Sequence, residues 1–170
     1  MRRAIVLATS MALASLLACG VALAATIDCR GGDCVGTSSG DTLFGTPEVD
    51  QEFGLGGGDL MYGYESADLM SGGAGGDRMY GGVGHDTVNG DRGNDAVYGG
   101  RGDDAVNGGD GDDLLVGNVG NDTISGGTGG DLIQAVDDQK DQINCAGGRD
   151  KVYFDRGLDE LRRCEVRRAW

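Results

Sequence analysis

The sequence predicts an all-β fold, a solenoid of short parallel strands wound into stacked coils. Three observations point there. Glycine and aspartate return every nine residues from Gly36 to Gln134, an apolar residue follows almost every one of these aspartates by two positions, and the ninth position carries a further period of eighteen. Composition alone would suit disorder, because 35 of the 170 residues are glycine and the formal net charge is −14. Disorder requires no registered repeat, so the period decides for order. The single proline and the lack of a three-residue glycine period exclude collagen.

The chain opens with Met1-Arg2-Arg3, an apolar run from Ala4 to Ala18, and the small-residue segment Ala22-Leu23-Ala24. This is the pattern of a secretory signal peptide over residues 1–24, too short for a membrane span and followed by a polar body. Leu16-Leu17-Ala18-Cys19 also resembles a lipoprotein processing box, which would leave the product attached to a cell surface. Removing residues 1–24 takes away two arginines and no acids, leaving 12 basic and 28 acidic residues, a formal charge of −16. Such a surface disfavours nucleic acid and anionic lipid and favours cations.

From Gly36 the chain divides into eleven unbroken nonapeptides. Glycine holds the first position in all eleven and the fourth in eight. Aspartate holds the sixth in all: Asp41, Asp50, Asp59, Asp68, Asp77, Asp86, Asp95, Asp104, Asp113, Asp122 and Asp131. The eighth is apolar in ten, the exception being Glu52. Glycines at positions one and four permit backbone conformations closed to other residues, so positions one to six are expected to form a tight turn. Positions seven to nine then form a strand whose middle side chain faces the interior.

Gly72-Gly73-Ala74-Gly75-Gly76-Asp77-Arg78-Met79-Tyr80 and Gly99-Gly100-Arg101-Gly102-Asp103-Asp104-Ala105-Val106-Asn107 fit every defined position of G-G-x-G-x-D-x-U-x. They resemble the glycine-rich nonapeptide of the repeats-in-toxin (hemolysin-type) calcium-binding family. The resemblance covers residues 36–134. It implies a parallel β-roll solenoid with two repeats per coil and calcium in the turns between stacked coils.

The charge pattern supports the same cofactor independently. Two repeats per coil align Asp41, Asp59, Asp77, Asp95, Asp113 and Asp131 in one column and Asp50, Asp68, Asp86, Asp104 and Asp122 in the other. At a strand spacing of ~4.8 Å, neighbouring carboxylates repel by roughly 1 kcal/mol in water and about 3–4 kcal/mol at an effective dielectric of 20. A hard divalent cation held by carboxylate and carbonyl oxygens reverses that sign, and calcium suits it by accepting six to eight oxygens in flexible geometry. The expected metal ligands are Asp59, Asp68, Asp77, Asp86, Asp95, Asp104, Asp113, Asp122 and Asp131. Asp50 is set apart because its repeat lacks turn glycines beyond the first and carries Glu52 in the core. Asp41 is set apart because it starts the array with only one neighbouring coil. With so thin a core, calcium binding is expected to drive folding.

Position nine reads Phe44, Tyr62, Tyr80, Tyr98 and Val116 in alternate repeats, and Phe53, Ser71, Asn89, Asn107 and Ser125 in the others. An aromatic ladder on one face follows. It either stabilises neighbouring coils or forms a docking strip for a glycan or another cell-surface partner.

After Gln134 one residue is inserted. Asp141-Gln142-Ile143, Asp150-Lys151-Val152 and Asp159-Glu160-Leu161 keep the nine-residue step without first-position glycines, as closing coils rather than full calcium turns. Residues 25–35 form the amino-terminal cap, 36–134 the roll, and 135–170 the degenerate repeats and carboxy-terminal cap. Cys29, Cys34, Cys145 and Cys164 remain after signal removal, an even count that in an exported chain suggests disulfides. Three pairings are possible. Cys29–Cys34 and Cys145–Cys164 are favoured as cap closures, with a zinc site as the weaker alternative.

No zinc-protease helix motif occurs, and the only histidine, His85, falls on a variable turn position as a solvated filler. The expected function is therefore a secreted, extracellular calcium-binding repeat protein and not an enzyme. The alternative is a calcium-rigidified adhesion or matrix-binding protein that uses the aromatic face.

Overall fold

The computed structural model describes residues 23–30, 33–164 and 167–169, so most of the signal segment, with its Cys19 box, lies outside the described residues. Every regular element described is a β-strand. Each coil contributes one strand to each of two parallel sheets, and each strand pairs with its equivalent one coil away.

The first sheet contains β1 (Thr26–Asp28), β3 (Thr42–Phe44), β5 (Leu60–Glu65), β7 (Arg78–Val83), β9 (Ala96–Arg101), β11 (Leu114–Val119), β13 (Leu132–Ala135), β16 (Lys151–Phe154) and β18 (Arg167–Ala169), in that spatial order. The second runs from β2 (Asp33–Val35) through β4 (Gln51–Gly56), β6 (Leu69–Ala74), β8 (Thr87–Arg92), β10 (Ala105–Asp110) and β12 (Thr123–Gly129) to β14 (Gln142–Asn144) and β17 (Glu160–Arg162), while β15 (Gly147–Gly148) pairs with β12 beside β14. The register steps by eighteen residues through the repeats, as in Met61↔Met79 and Val88↔Val106. It steps by nineteen where the inserted residue falls, as in Ile124↔Ile143. The fold is thus the parallel solenoid expected, with two repeats per coil.

The core is one column of side chains per sheet. Leu43, Met61, Met79, Val97, Leu115, Ile133 and Val152 stack from the first sheet; Met70, Val88, Val106, Ile124 and Ile143 stack from the second. All are buried to within 1% of complete. Position seven points away from this core, and position nine is half-buried.

The strands are longer than the expected three residues. The eight from β4 to β11 have six, because the chain passes through the first-position glycine and pairs again at positions two and three, as in Tyr64↔Gly82 and Glu65↔Val83. The turn proper is only positions four to six. The reason for the glycines differs accordingly. At position four the requirement is conformational and steric together: Gly93 has φ 134°, and a Cβ there would overlap the carbonyl of Gly75. At position one no left-handed φ is needed. There the glycine leaves room, and what fills that room is described below.

The amino-terminal segment forms a further coil that pairs in register with the roll. Ile27 stands in register with Leu43, and Cys34 with Glu52. Cys29–Cys34 closes this coil and Cys145–Cys164 closes the other end, with Cα–Cα distances of 5.1 and 5.0 Å. Along the first sheet, Phe44, Tyr62, Tyr80 and Tyr98 form a continuous stack with ring centroids 5.5, 5.1 and 4.9 Å apart and planes within 10° of parallel.

Candidate metal centre in the aspartate columns

Each sixth-position aspartate ends a turn and immediately precedes a strand, so its backbone is held on both sides by the neighbouring coils. The carbonyl of Asp77 accepts from Ala96 N–H at 2.8 Å, and Asp77 N–H donates to Asp95 Oδ1 at 2.7 Å. The same arrangement recurs along both columns. Asp59, Asp95 and Asp113 N–H donate to Oδ1 of Asp77, Asp113 and Asp131. In the other column Asp68, Asp86 and Asp104 N–H donate to Oδ1 of Asp86, Asp104 and Asp122. The structure therefore brings all nine predicted site residues into two registered rows, each at most 3% exposed.

One oxygen of each carboxylate is used in this way. The other, Oδ2, is buried and has no hydrogen-bond partner among the described residues in Asp59, Asp68, Asp77, Asp86, Asp95, Asp104, Asp113, Asp122 and Asp131. A buried acceptor left unsatisfied costs about 1–3 kcal/mol, and more when charged. Oδ2 lies beside the first-position glycine of its own repeat. At every such glycine from Gly54 to Gly108, a Cβ would come within 2.6 Å of Oδ2 and within 2.9 Å of the carbonyl oxygen of the glycine one coil on. The space that glycine leaves is thus lined by one carboxylate and one carbonyl oxygen.

The electrostatics match the burial. Burial pushes the Asp68 and Asp104 carboxyls up to about 7, opposed by the N–H bond each accepts and reinforced by the aspartates one coil away. Asp77, Asp95, Asp122 and Asp131 are pushed up to about 6, again chiefly by burial. Asp59, Asp86 and Asp113 are raised for the same first cause. Without a counter-charge these groups resist ionising together.

Such a donor set fits a hard, oxygen-preferring cation such as calcium. Among the described residues no three His, Cys, Asp or Glu side chains converge as a cage. An ion here would depend on main-chain carbonyls as much as on carboxylates.

Three features escaped the sequence. Asp141 and Asp150, read as closing coils, carry the same geometry: their Oδ1 atoms accept from Asp122 and Asp131 N–H at 2.8 and 3.0 Å, and their Oδ2 atoms are buried without a partner among the described residues. The nine-residue step could have found them, had the missing glycine been given less weight. Asp41 has a coil on either side, since Ala25 N–H donates to its Oδ1 at 2.6 Å and Asp41 N–H donates to Asp59 at 2.7 Å. His85 is not merely a filler. Its Nδ1 accepts from Asp103 N–H at 3.0 Å, the first rung of a fifth-position ladder in which Asp103 Oδ1 accepts from Asn121 N–H.

Residue 52 departs most sharply. Glu52 is completely buried at a core position, and burial, with the charges of Asp68 and Asp50, pushes its carboxyl up to about 8.

Four overlapping segments, residues 53–88, 71–106, 80–115 and 98–133, match the family model of the RTX calcium-binding nonapeptide repeat. Among curated proteins none matches the chain. Registered aspartates, glycine-lined turns and the family match agree, and from Phe53 to Ile133 the chain belongs to the RTX calcium-binding nonapeptide repeat family.

Proposed function

We propose that this is a secreted calcium-binding protein whose roll becomes rigid when calcium neutralises its two aspartate columns. Asp59, Asp68, Asp77, Asp86, Asp95, Asp104, Asp113, Asp122 and Asp131 are the carboxylate ligands, joined by Asp141 and Asp150. The observation that carries this reading is the unbroken row of buried Oδ2 atoms without protein partners. Each aspartate does two jobs. Its Oδ1 and N–H fix the stacking of coils, and its Oδ2 presents negative charge to the turn. Bound calcium supplies the positive charge and the additional oxygen coordination capacity that these groups lack. The first-position carbonyls complete the donor set, and the glycines keep side chains out of the way.

The role is binding rather than catalysis. His85 is engaged with the neighbouring coil, and the acids are arranged by an eighteen-residue translation rather than paired for proton transfer. The two disulfides suit an oxidising compartment outside the cell.

Calorimetric titration of chelated protein with calcium, read beside circular dichroism, tests this. Saturable uptake of several ions with a gain of β signal is expected. No uptake at millimolar calcium would refute the reading.

A second reading, adhesion through the aromatic face, is favoured by one observation. The Phe44–Tyr98 stack is half-exposed, and Tyr64, 48% exposed, lies 6.2 Å from the Tyr62 ring. Replacing Tyr62, Tyr80 and Tyr98 by serine should then abolish binding to glycan or cell surfaces. Unchanged binding with the fold retained leaves the stack as a brace.

A further inference from the structure

Every other core position of the repeats is apolar, and at residue 52 the roll carries an acid. Glu52 stands in register between Cys34 and Met70, fully buried, and neither of its carboxylate oxygens has a hydrogen-bond partner among the described residues. Methionine occupies the same position in each of the next three repeats, as Met61, Met70 and Met79. Packing alone therefore gives no reason for a glutamate.

The neighbouring glycine supplies one. A Cβ on Gly45 would lie 2.5 Å from Glu52 Oε1, 2.7 Å from the Gly63 carbonyl oxygen and 2.9 Å from that of Tyr62. One coil on, a Cβ on Gly63 would lie 2.6 Å from Asp68 Oδ2 and 2.5 Å from the Gly81 carbonyl oxygen. Glu52 Oε1 thus occupies, at Gly45, the place that aspartate Oδ2 occupies at the later first-position glycines. The repeat's own aspartate has been drawn away, because Asp50 Oδ2 accepts from Thr46 N–H at 2.6 Å and from Thr46 Oγ1 at 2.9 Å. Asp50 Oδ1 is left buried without a partner among the described residues. One substitution offsets the other: threonine captures the turn aspartate, and a core glutamate reaches back to restore the carboxylate.

We propose that Glu52 is a calcium ligand, holding an ion at the Gly45 turn with main-chain carbonyls and the free oxygen of Asp50. This site extends the Asp68–Asp122 column by one position from inside the core. A plain nonapeptide reading of the repeat, with its missing turn glycines and its acid in place of an aliphatic, gives no ion there. The inference rests on the calcium-binding reading of the roll.

The test is the number of calcium ions per chain, measured by equilibrium dialysis with elemental analysis, for the wild-type chain, Glu52→Met and Glu52→Gln. Methionine matches the neighbouring repeats, and glutamine keeps the shape while removing the charge, so a folding failure in one leaves the other informative. One ion fewer in either folded variant, with the remaining sites retained, is the expected result. Equal numbers in wild type and variants would overturn the inference and leave Glu52 a buried neutral acid, while the roll's calcium binding stands. No calcium bound by the wild type would overturn both readings together.

Discussion

At Asp41, near the start of the roll, Thr37 N–H donates to Oδ2, and Ala25 N–H to Oδ1. Three coils along, at Asp95, Oδ1 is bonded in the same way but Oδ2 faces glycine with no donor among the described residues. The far end resembles the start: Asp159 Oδ2 accepts from Asp155 N–H at 2.7 Å, and Asp155 Oδ2 in turn accepts from Asp137 and Asp138 N–H. Both ends are also closed by disulfides. The outermost aspartates, Asp41 and Asp159, have protein donors on both oxygens, and covalent links hold the end coils. The middle leaves one oxygen per repeat over, and depends on something that is not protein.

This contrast can be broken most severely through the backbone. Gly93→Ala places a Cβ on a left-handed residue against the Gly75 carbonyl, and a loss of about 3 kcal/mol or more is expected by analogy with other strained or overpacked sites. Denaturant unfolding in calcium measures it. Gly157→Ala has φ 94° but nothing within 4 Å of the new Cβ, so it should cost about 1 kcal/mol from strain alone.

The carboxylates come next. Asp95→Asn keeps an acceptor for Asp77 N–H but removes the charge, so calcium uptake should fall by one or two ions per chain. Asp41→Asn should leave the ion count unchanged, since protein donors already satisfy that side chain. Calorimetric titration separates the two.

The third prediction concerns pH. The folded-state values of Asp68, Asp104 and Asp141, at about 7, lie above the unfolded value of about 3.9. A group raised in this way contributes stability that is fully present below about pH 4 and is lost as pH rises through about 7. In chelator the melting temperature should therefore fall from pH 4 to pH 8. In saturating calcium it should rise over the same range, because protons compete with the metal for the same oxygens. Parallel thermal melts at matched pH reveal either slope.

The aromatic stack should affect stability alone. Tyr80→Ser removes two ring contacts on a half-buried face, worth about 1–2 kcal/mol, and should leave calcium uptake intact.

Much of this organisation could be read from the chain. The eighteen-residue alternation at position nine foretold two repeats per coil, and the period at position six foretold both aspartate columns, because a solenoid converts sequence spacing directly into spatial register. The favoured cysteine pairing also matches the disulfides: Cys145 and Cys164, nineteen residues apart, stack about one coil apart, while Cys29 and Cys34, five apart, close a single end coil. What could not be read depends on single side chains or on coils without the signature. That Thr46 turns Asp50 aside is a matter of rotamer and local donors, invisible to a period. The coil around Ile27 and Cys34 lacks the first-position glycine and the sixth-position aspartate, so the period does not reach it. Strand length also lies beyond the period, because at position one glycine serves space and not a left-handed backbone, so the strand runs on through it.

Hydrogen exchange across the whole chain, with and without calcium, tests most directly whether the central columns need a cation. After exhaustive chelation at neutral pH, amides of the strands from Leu60 to Val119 should lose most of their protection, and restored calcium should return it. Equal protection of these strands in both conditions would contradict the account, because the buried carboxylates would then be tolerated by the protein alone.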